Sequence, residues 1–235
     1  MRKFWIKMNI LYEKLMLFFF LMALLIVAYG LYDTWYVYHH ASDDSCLRYK
    51  PTAGEGVPED APITDSMVGW LTVDDTNIDY PIMQGEDNYR FLNEDPYGDY
   101  SLSGSIFLDS RNSKEFSDPY SILYGHHMEY GSMFGALDDF LDQKYLNAHT
   151  HGKLLVGRER VREYDLEVFA AIRVDVFEEE EVFDPDVKDI REIIRKHAAA
   201  LRSVPEEGER ILALSTCTEP VSRNRLLVFC TIKQK

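Results

Sequence analysis

Between Lys14 and Asp33 the chain runs for 18 residues, Leu15 to Tyr32, without a single charge. As a helix this run would be roughly 27 Å long at about 1.5 Å per residue, close to the hydrocarbon thickness of a bilayer. Arg2, Lys3, Lys7 and Lys14 precede it against one acid, Glu13. Basic flanks stay on the cytoplasmic side. The expected order is therefore a cytoplasmic tail (1–14), a transmembrane signal-anchor (15–32) and an extracellular remainder. A cleaved signal peptide is the competing reading. Ala28-Tyr29-Gly30-Leu31 is a poor cleavage site for it, because bulky residues follow Gly30.

Residues 33–60 read as a juxtamembrane and N-terminal helical region. Tyr32, Trp35, Tyr36 and Tyr38 suit a lipid–water interface, and a Pro51–Pro58 loop follows. Residues 61–235 are enough for one domain with a full core. The net charge of −15 argues against nucleic acid as a partner. Three cysteines, Cys46, Cys217 and Cys230, form no disulfide framework. At least one thiol is left over, which needs a reason in an exported protein.

The pattern after residue 61 is mainly β. Short apolar, β-branched runs occur at Met67–Val73, Ile78–Met83, Ser105–Leu108, Ser121–Tyr124, Lys153–Val156, Ile211–Leu214 and Leu226–Ile232. From Tyr164 to Val176 every even-numbered residue is apolar, which predicts a strand with one buried face. Two helices are predicted. One runs from Ser132 through Met133, Leu137, Phe140 and Leu141. The other is capped by Asp184, with Pro185 in its first turn, and continues through Ile190, Ile193, Ile194 and Leu201. Many short strands with few helices point to a barrel or sandwich.

Two apolar strands end abruptly in reactive groups. Ile211-Leu-Ala-Leu-Ser-Thr-Cys217 is followed at once by Thr218 and Glu219. A thiol where a rigid strand meets a loop is placed as catalytic groups often are. Cys230 sits inside an apolar strand and reads as a buried hydrophobe. Ile122-Leu-Tyr-Gly ends in His126-His127, and imidazole is the usual acid/base partner of a thiol. Arg225, just before the last strand, can hold a guanidinium where an oxyanion develops; Arg223 is an equal candidate by position. No serine-hydrolase elbow, phosphate loop, dinucleotide fingerprint or zinc motif is present, and neither a cofactor nor a metal is expected.

Leu214-Ser-Thr-Cys217, Arg225 eight residues later, and Tyr124-Gly-His126-His127-Met128 resemble the cysteine, arginine and histidine boxes of class B sortases of Gram-positive bacteria. Gly69-Trp-Leu71, Tyr80-Pro-Ile-Met83, Asn88-Tyr-Arg-Phe-Leu92, Gly104-Ser-Ile-Phe107, Asp109-Ser-Arg-Asn112 and Gly131-Ser-Met-Phe134 follow the family's order. The resemblance covers nearly the whole chain. It implies an eight-stranded β-barrel with N-terminal helices and a helix inserted between late strands. It implies Cys217 as nucleophile, His126 as acid/base and Arg225 as oxyanion stabiliser, with Asn88, Leu92, Tyr124, Ser215 and Thr216 around the substrate groove. The implied reaction cleaves an NPxTx-like C-terminal sorting signal of a secreted protein after Thr, through a thioester. The acyl group then passes to the amine of a peptidoglycan precursor. Pilin polymerisation with a lysine amine, simple hydrolysis, and a non-catalytic binding module are the alternatives.

Overall fold

The computed structural model describes residues 1–41, 44–128, 131–217 and 223–234, with the backbone alone at 37–41, 44 and 217. It divides into two compact units, Met1–His40 and Ala41–Lys235. The first consists of helix α1 (Arg2–Ala41). Its apolar side chains, Phe20 and Leu25 among them, are exposed rather than packed. The helix is long and apolar enough to cross a membrane.

The second unit holds strands β1 (Met67–Val73), β2 (Asp79–Met83), β3 (Ile106–Leu108), β4 (Tyr120–His126), β5 (His151–Val156), β6 (Arg162–Asp175), β7 (Ala198–Leu201), β8 (Arg210–Cys217) and β9 (Asn224–Gln234), with helices α2 (Gln143–Ala148) and α3 (Ile190–His197). Their order is β5-β1-β2-β3-β4-β8-β9-β6-β7, and β5 pairs back onto β6. Eight strands thus close into the expected barrel, which removes the exposed edges an open sheet would have. The ninth, β7, adds only to the far half of β6. β2–β3 and β4–β8 are parallel.

The barrel interior is filled by one cluster that includes Leu71, Ile106, Leu123, Leu166, Leu212, Leu214 and Val228. Two further clusters lie on the outer face. One joins Tyr120, Ile122, Ile211 and Ala213 to Val182, Ile190 and Ile194 of the segment between β6 and β8. The other joins Trp70, Met83 and Phe107 to Cys46, Ile63 and Phe91. Tyr124 packs against both.

Three sequence expectations change. In β6 the even-numbered apolar residues do not share one face. Pairing with β9 slips between Val168 and Ala170. This bulge turns Leu166 and Val168 inward but Ala170, Ile172 and Val174 outward. The second half of β6 is buried on both sides because α3 covers it.

The helix expected from Asp184 starts later. Asp184 ends a short 3₁₀ turn at Glu180–Phe183, and Asp189 is the actual cap, accepting from the backbone N–H of Arg191 and Glu192. Ala198–Leu201, read as its last turn, instead pairs with β6 as β7. The helix expected from Ser132 is a 3₁₀ segment, Gly135–Leu141, followed by α2, which Asp142 caps.

Candidate active site

The site is set by strand register. β4 and β8 run side by side from Tyr120↔Ile211 to His126↔Cys217. Neighbouring strands lie about 4.8 Å apart and residues two apart share a face. One outward row on β4 is therefore Tyr120, Ile122, Tyr124 and His126. Beside it on β8 runs Ile211, Ala213, Ser215 and position 217. On the other side of β8, the antiparallel register with β9 ends at Ser215↔Leu227. Arg225 lies two residues before Leu227, near the start of β9, where it pairs with Val174 of β6. The cysteine and the histidine are thus register partners at the ends of β8 and β4, and Arg225 lies near the start of β9, the next strand.

His126 owes its position to its neighbours. Gly125 faces inward, where a Cβ would come within 2.4 Å of Ile106 Cδ1 and 2.8 Å of Phe134 Cδ2. Any side chain there would push the strand end out. The imidazole is half-buried and its Nε2 lies 2.7 Å from the carbonyl oxygen of Leu92. A carbonyl only accepts, so Nε2–H is the donor, and Nδ1 is the acceptor of the neutral ring. Leu92 closes a 3₁₀ turn, Arg90–Leu92. Gly104, at φ +57°, lets the chain pass close behind that turn; a Cβ there would lie 2.6 Å from Leu92 O.

The other histidine and arginine are engaged elsewhere. His127 Nε2 lies 2.7 Å from Asp138 Oδ2, in a cleft of about 560 Å³ also lined by Asp75, Asp139 and Tyr145. The Arg223 guanidinium lies over the ring of Phe177, 5.5 Å from its centroid. Arg225 Nη1 donates to Asn224 O at 3.3 Å. Cys230 is fully buried on β9, and burial pushes its thiol up to about 12. It is a core residue, not a nucleophile.

The expected groove residues separate. Ser215 is buried on the outer face beside Tyr124, and its Oγ has no partner among the described residues. Thr216 lies on the inner face, where its Oγ1 accepts from the Leu226 N–H at 3.3 Å. It braces β8 against β9 and does not line the outer face. Asn88 and Tyr124 both bond to Asp109 Oδ2, at 3.0 and 3.1 Å.

Asp109 was noted only as part of a motif. It is fully buried and takes two charge-assisted bonds from Arg111, Nε to Oδ1 and Nη2 to Oδ2, both 2.9 Å. Burial alone would raise its pKa; the bonds and charge of Arg111, with the Tyr124 hydroxyl, outweigh this and hold it below the usual carboxylate range. An acid directly after an apolar strand, two residues before an arginine, was the available signal.

Residues 71–233 match the family model for the sortase domain. The chain belongs to the sortase family, in its class B. It is 38% identical over 160 residues to sortase B of Listeria monocytogenes, spanning 66% of this chain and 64% of that protein. It is 31% identical over 181 residues to sortase B of Staphylococcus aureus, spanning 72% of this chain and 71% of the other. Among solved structures, a Streptococcus pyogenes class B sortase involved in pilus biogenesis superposes with a TM-score of 0.65 at 35% identity, covering 73% of this chain and 94% of that one. The S. aureus sortase B–substrate complex gives 0.65 at 28% identity, covering 73% and 82%.

Proposed function

We propose that this protein is a membrane-anchored cysteine transpeptidase that cleaves an NPxTx-like sorting signal after its Thr and joins the acyl group to a cell-wall amine. The observation that carries the reading is the register His126↔Cys217, with Arg225 near the start of β9, the strand beside β8. A thiol, an imidazole and a guanidinium are the set that acyl transfer needs, and the neighbouring ends of β4, β8 and β9 support their acting together.

The Cys217 thiolate attacks the Thr carbonyl carbon. Charge moves to the carbonyl oxygen, where Arg225 stabilises it. As the C–N bond breaks, the imidazolium of His126 gives its Nδ1 proton to the departing amine. Nε2–H stays on the Leu92 carbonyl, so the ring keeps one orientation while Nδ1 shuttles the proton. An incoming amine attacks the thioester, neutral His126 takes its proton, and the thiolate departs. The thioester retains most of the acyl free energy, so no nucleotide is consumed. Ser215, Tyr124, Asn88 and Leu92 line the signal groove, and the buried, unpartnered Ser215 hydroxyl is the group a substrate amide best satisfies.

The basic residues before the apolar run support an N-terminus in the cytoplasm and a barrel outside. Partners are secreted proteins carrying the signal and a peptidoglycan precursor. A second reading, pilin polymerisation with a lysine amine, draws on the resemblance to the streptococcal enzyme involved in pilus biogenesis.

The test uses the full chain in detergent, given fluorogenic signal peptides with and without an acceptor amine. Cleavage with a mass-spectrometric adduct on Cys217, absent in Cys217→Ala, is expected. An adduct on Cys46 or Cys230, or cleavage surviving the substitution, would sink the assignment. Amine-independent product would make the enzyme a hydrolase. A lysine-bearing pilin acceptor outcompeting a wall-peptide amine would favour polymerisation.

A further inference from the structure

Among the described residues Asp109 makes no hydrogen bond to His126, yet its carboxylate gathers three separate parts of the outer face. Asn88, on the loop that leads into the Arg90–Leu92 turn, donates Nδ2–H to Oδ2 at 3.0 Å and accepts the Ser110 N–H on its own Oδ1 at 2.8 Å. Tyr124, two residues before His126, donates its hydroxyl to the same Oδ2. Arg111 binds both oxygens and continues outward, donating Nη2–H to Phe183 O at 2.7 Å and Nη1–H to Asp184 Oδ1 at 3.4 Å. Phe183 and Asp184 end the 3₁₀ turn of the segment that covers Tyr120 and Ile122.

These bonds link one side of the open outer face (the Asn88–Leu92 turn that carries the acceptor for His126), its floor (Tyr124) and the edge of the covering segment. The guanidinium is half-exposed while the carboxylate is fully buried. Both carboxylate oxygens are occupied, so loss of either partner strands a charge or several donors.

We propose that the Asp109–Arg111 pair sets the width of the groove: Asp109 and Arg111 are positioning residues for signal binding and take no part in the chemistry. This rests on the sorting-signal reading for its substrate, though not for its structural half. The covering segment has a second polar anchor, Tyr120 Oη–H to Val182 O at 2.8 Å, so cutting the arginine link loosens the edge without releasing the segment from the core. At the other end of the same segment, Arg191 gives a matched control. It binds the carbonyls of Pro205, Glu206 and Glu209, away from the groove floor.

The experiment compares Arg111→Ala and Arg191→Ala in the full chain in detergent. Three quantities are read: amide hydrogen exchange over 180–187, the rate of Cys217 alkylation by iodoacetamide, and kcat and KM for the signal peptide. For Arg111→Ala, exchange over 180–187 should quicken at least tenfold, KM should rise about tenfold, and alkylation and kcat should stay within twofold of wild type. Arg191→Ala should leave KM within twofold. Arg111→Lys, which cannot reach Asp109 and Phe183 together, should restore less than half of the KM loss. Unchanged exchange over 180–187 overturns the proposal whatever the peptide does. A parallel fall in kcat, alkylation and melting temperature overturns it too, since a general structural role produces that pattern. A wild type that cleaves no signal sinks the sorting-signal reading instead, and the exchange data still decide whether the pair holds the groove edge.

Discussion

The two halves of β4 share one strand, one outward face and one partner strand, yet they end differently. Tyr120 and Ile122 are buried under the segment between β6 and β8, in a cluster with Val182, Ile190 and Ile194. Tyr124 and His126, one and two steps further along the same row, are only half-buried. The register with β8 does not distinguish them: it runs unbroken from Tyr120↔Ile211 to His126↔Cys217. Coverage by the segment between β6 and β8 goes with the difference. Where α3 and the turn before it lie on the sheet, the row is core; where they stop, the same geometry becomes a floor with reactive groups at its end. A barrel closed on itself needs no outer core to be complete, so the outer face is available for a groove.

The comparison breaks most visibly if the halves are exchanged in effect. His126→Ala should cut turnover by about 10²–10⁴-fold, the usual worth of a positioned acid/base, with a melting temperature close to wild type. Ile122→Ala, two positions away from Tyr124 on the covered half, should do the opposite. It should cost about 2–5 kcal/mol of stability, as large-to-small core changes do, while turnover per folded molecule stays within a fewfold of wild type. Denaturant unfolding beside initial rates separates the two. If Ile122→Ala lost activity without losing stability, the covered half would have to be counted as part of the groove.

Much of this division was legible in the sequence and some was not. The strand ends at His126 and Cys217 were visible because each apolar run stops at a polar residue. The membrane-length run was visible because 18 residues without charge have few other uses. The far half of β6 was misread because alternation reports a buried face only while the strand is regular. The bulge between Val168 and Ala170 changes which face the even positions occupy. Leu201 reads as the end of a helix because it continues the apolar series from Ile190, Ile193 and Ile194, but Ala198–Leu201 pairs with β6 instead. The resemblance puts Thr216 with Ser215 at the groove, whereas neighbours on a strand face opposite ways and Thr216 bonds Leu226 on the inner face. Asp109 could not be found as a hub, since its partners at 88, 111 and 124 are brought together only by the fold.

A smaller effect tests how the cover is held. Tyr120→Phe keeps the ring in the outer cluster and removes only the bond to Val182 O. Losing the partner of a buried carbonyl should cost about 1–2 kcal/mol, with KM for the signal peptide rising less than in Arg111→Ala. A larger KM effect in Tyr120→Phe would move the boundary between the halves toward the start of β4.

The smallest expected effect concerns that boundary directly, because Asp109 lies beside both Ile122 and Tyr124. Its N–H bonds Ile122 O at 2.9 Å, and its carboxylate bonds the Tyr124 hydroxyl. Arg111 and Tyr124 depress its pKa in the folded state below the unfolded value of roughly 3.9. A carboxylate with a depressed folded pKa contributes stability that is fully present above the unfolded value and is lost as pH falls through the folded one. Glu167 and Glu179 are depressed as well, by Lys233 and by Lys196 respectively, so wild-type acid unfolding alone would not isolate Asp109. The difference in unfolding free energy between wild type and Asp109→Asn does. It should be flat from pH 7 to about 5 and shrink below about pH 4, because the wild-type carboxyl then becomes neutral like the amide. A difference that stays constant down to pH 2 would mean that shape, not charge, joins the two halves at this residue. Arg111 would then hold the groove edge through the Phe183 carbonyl alone.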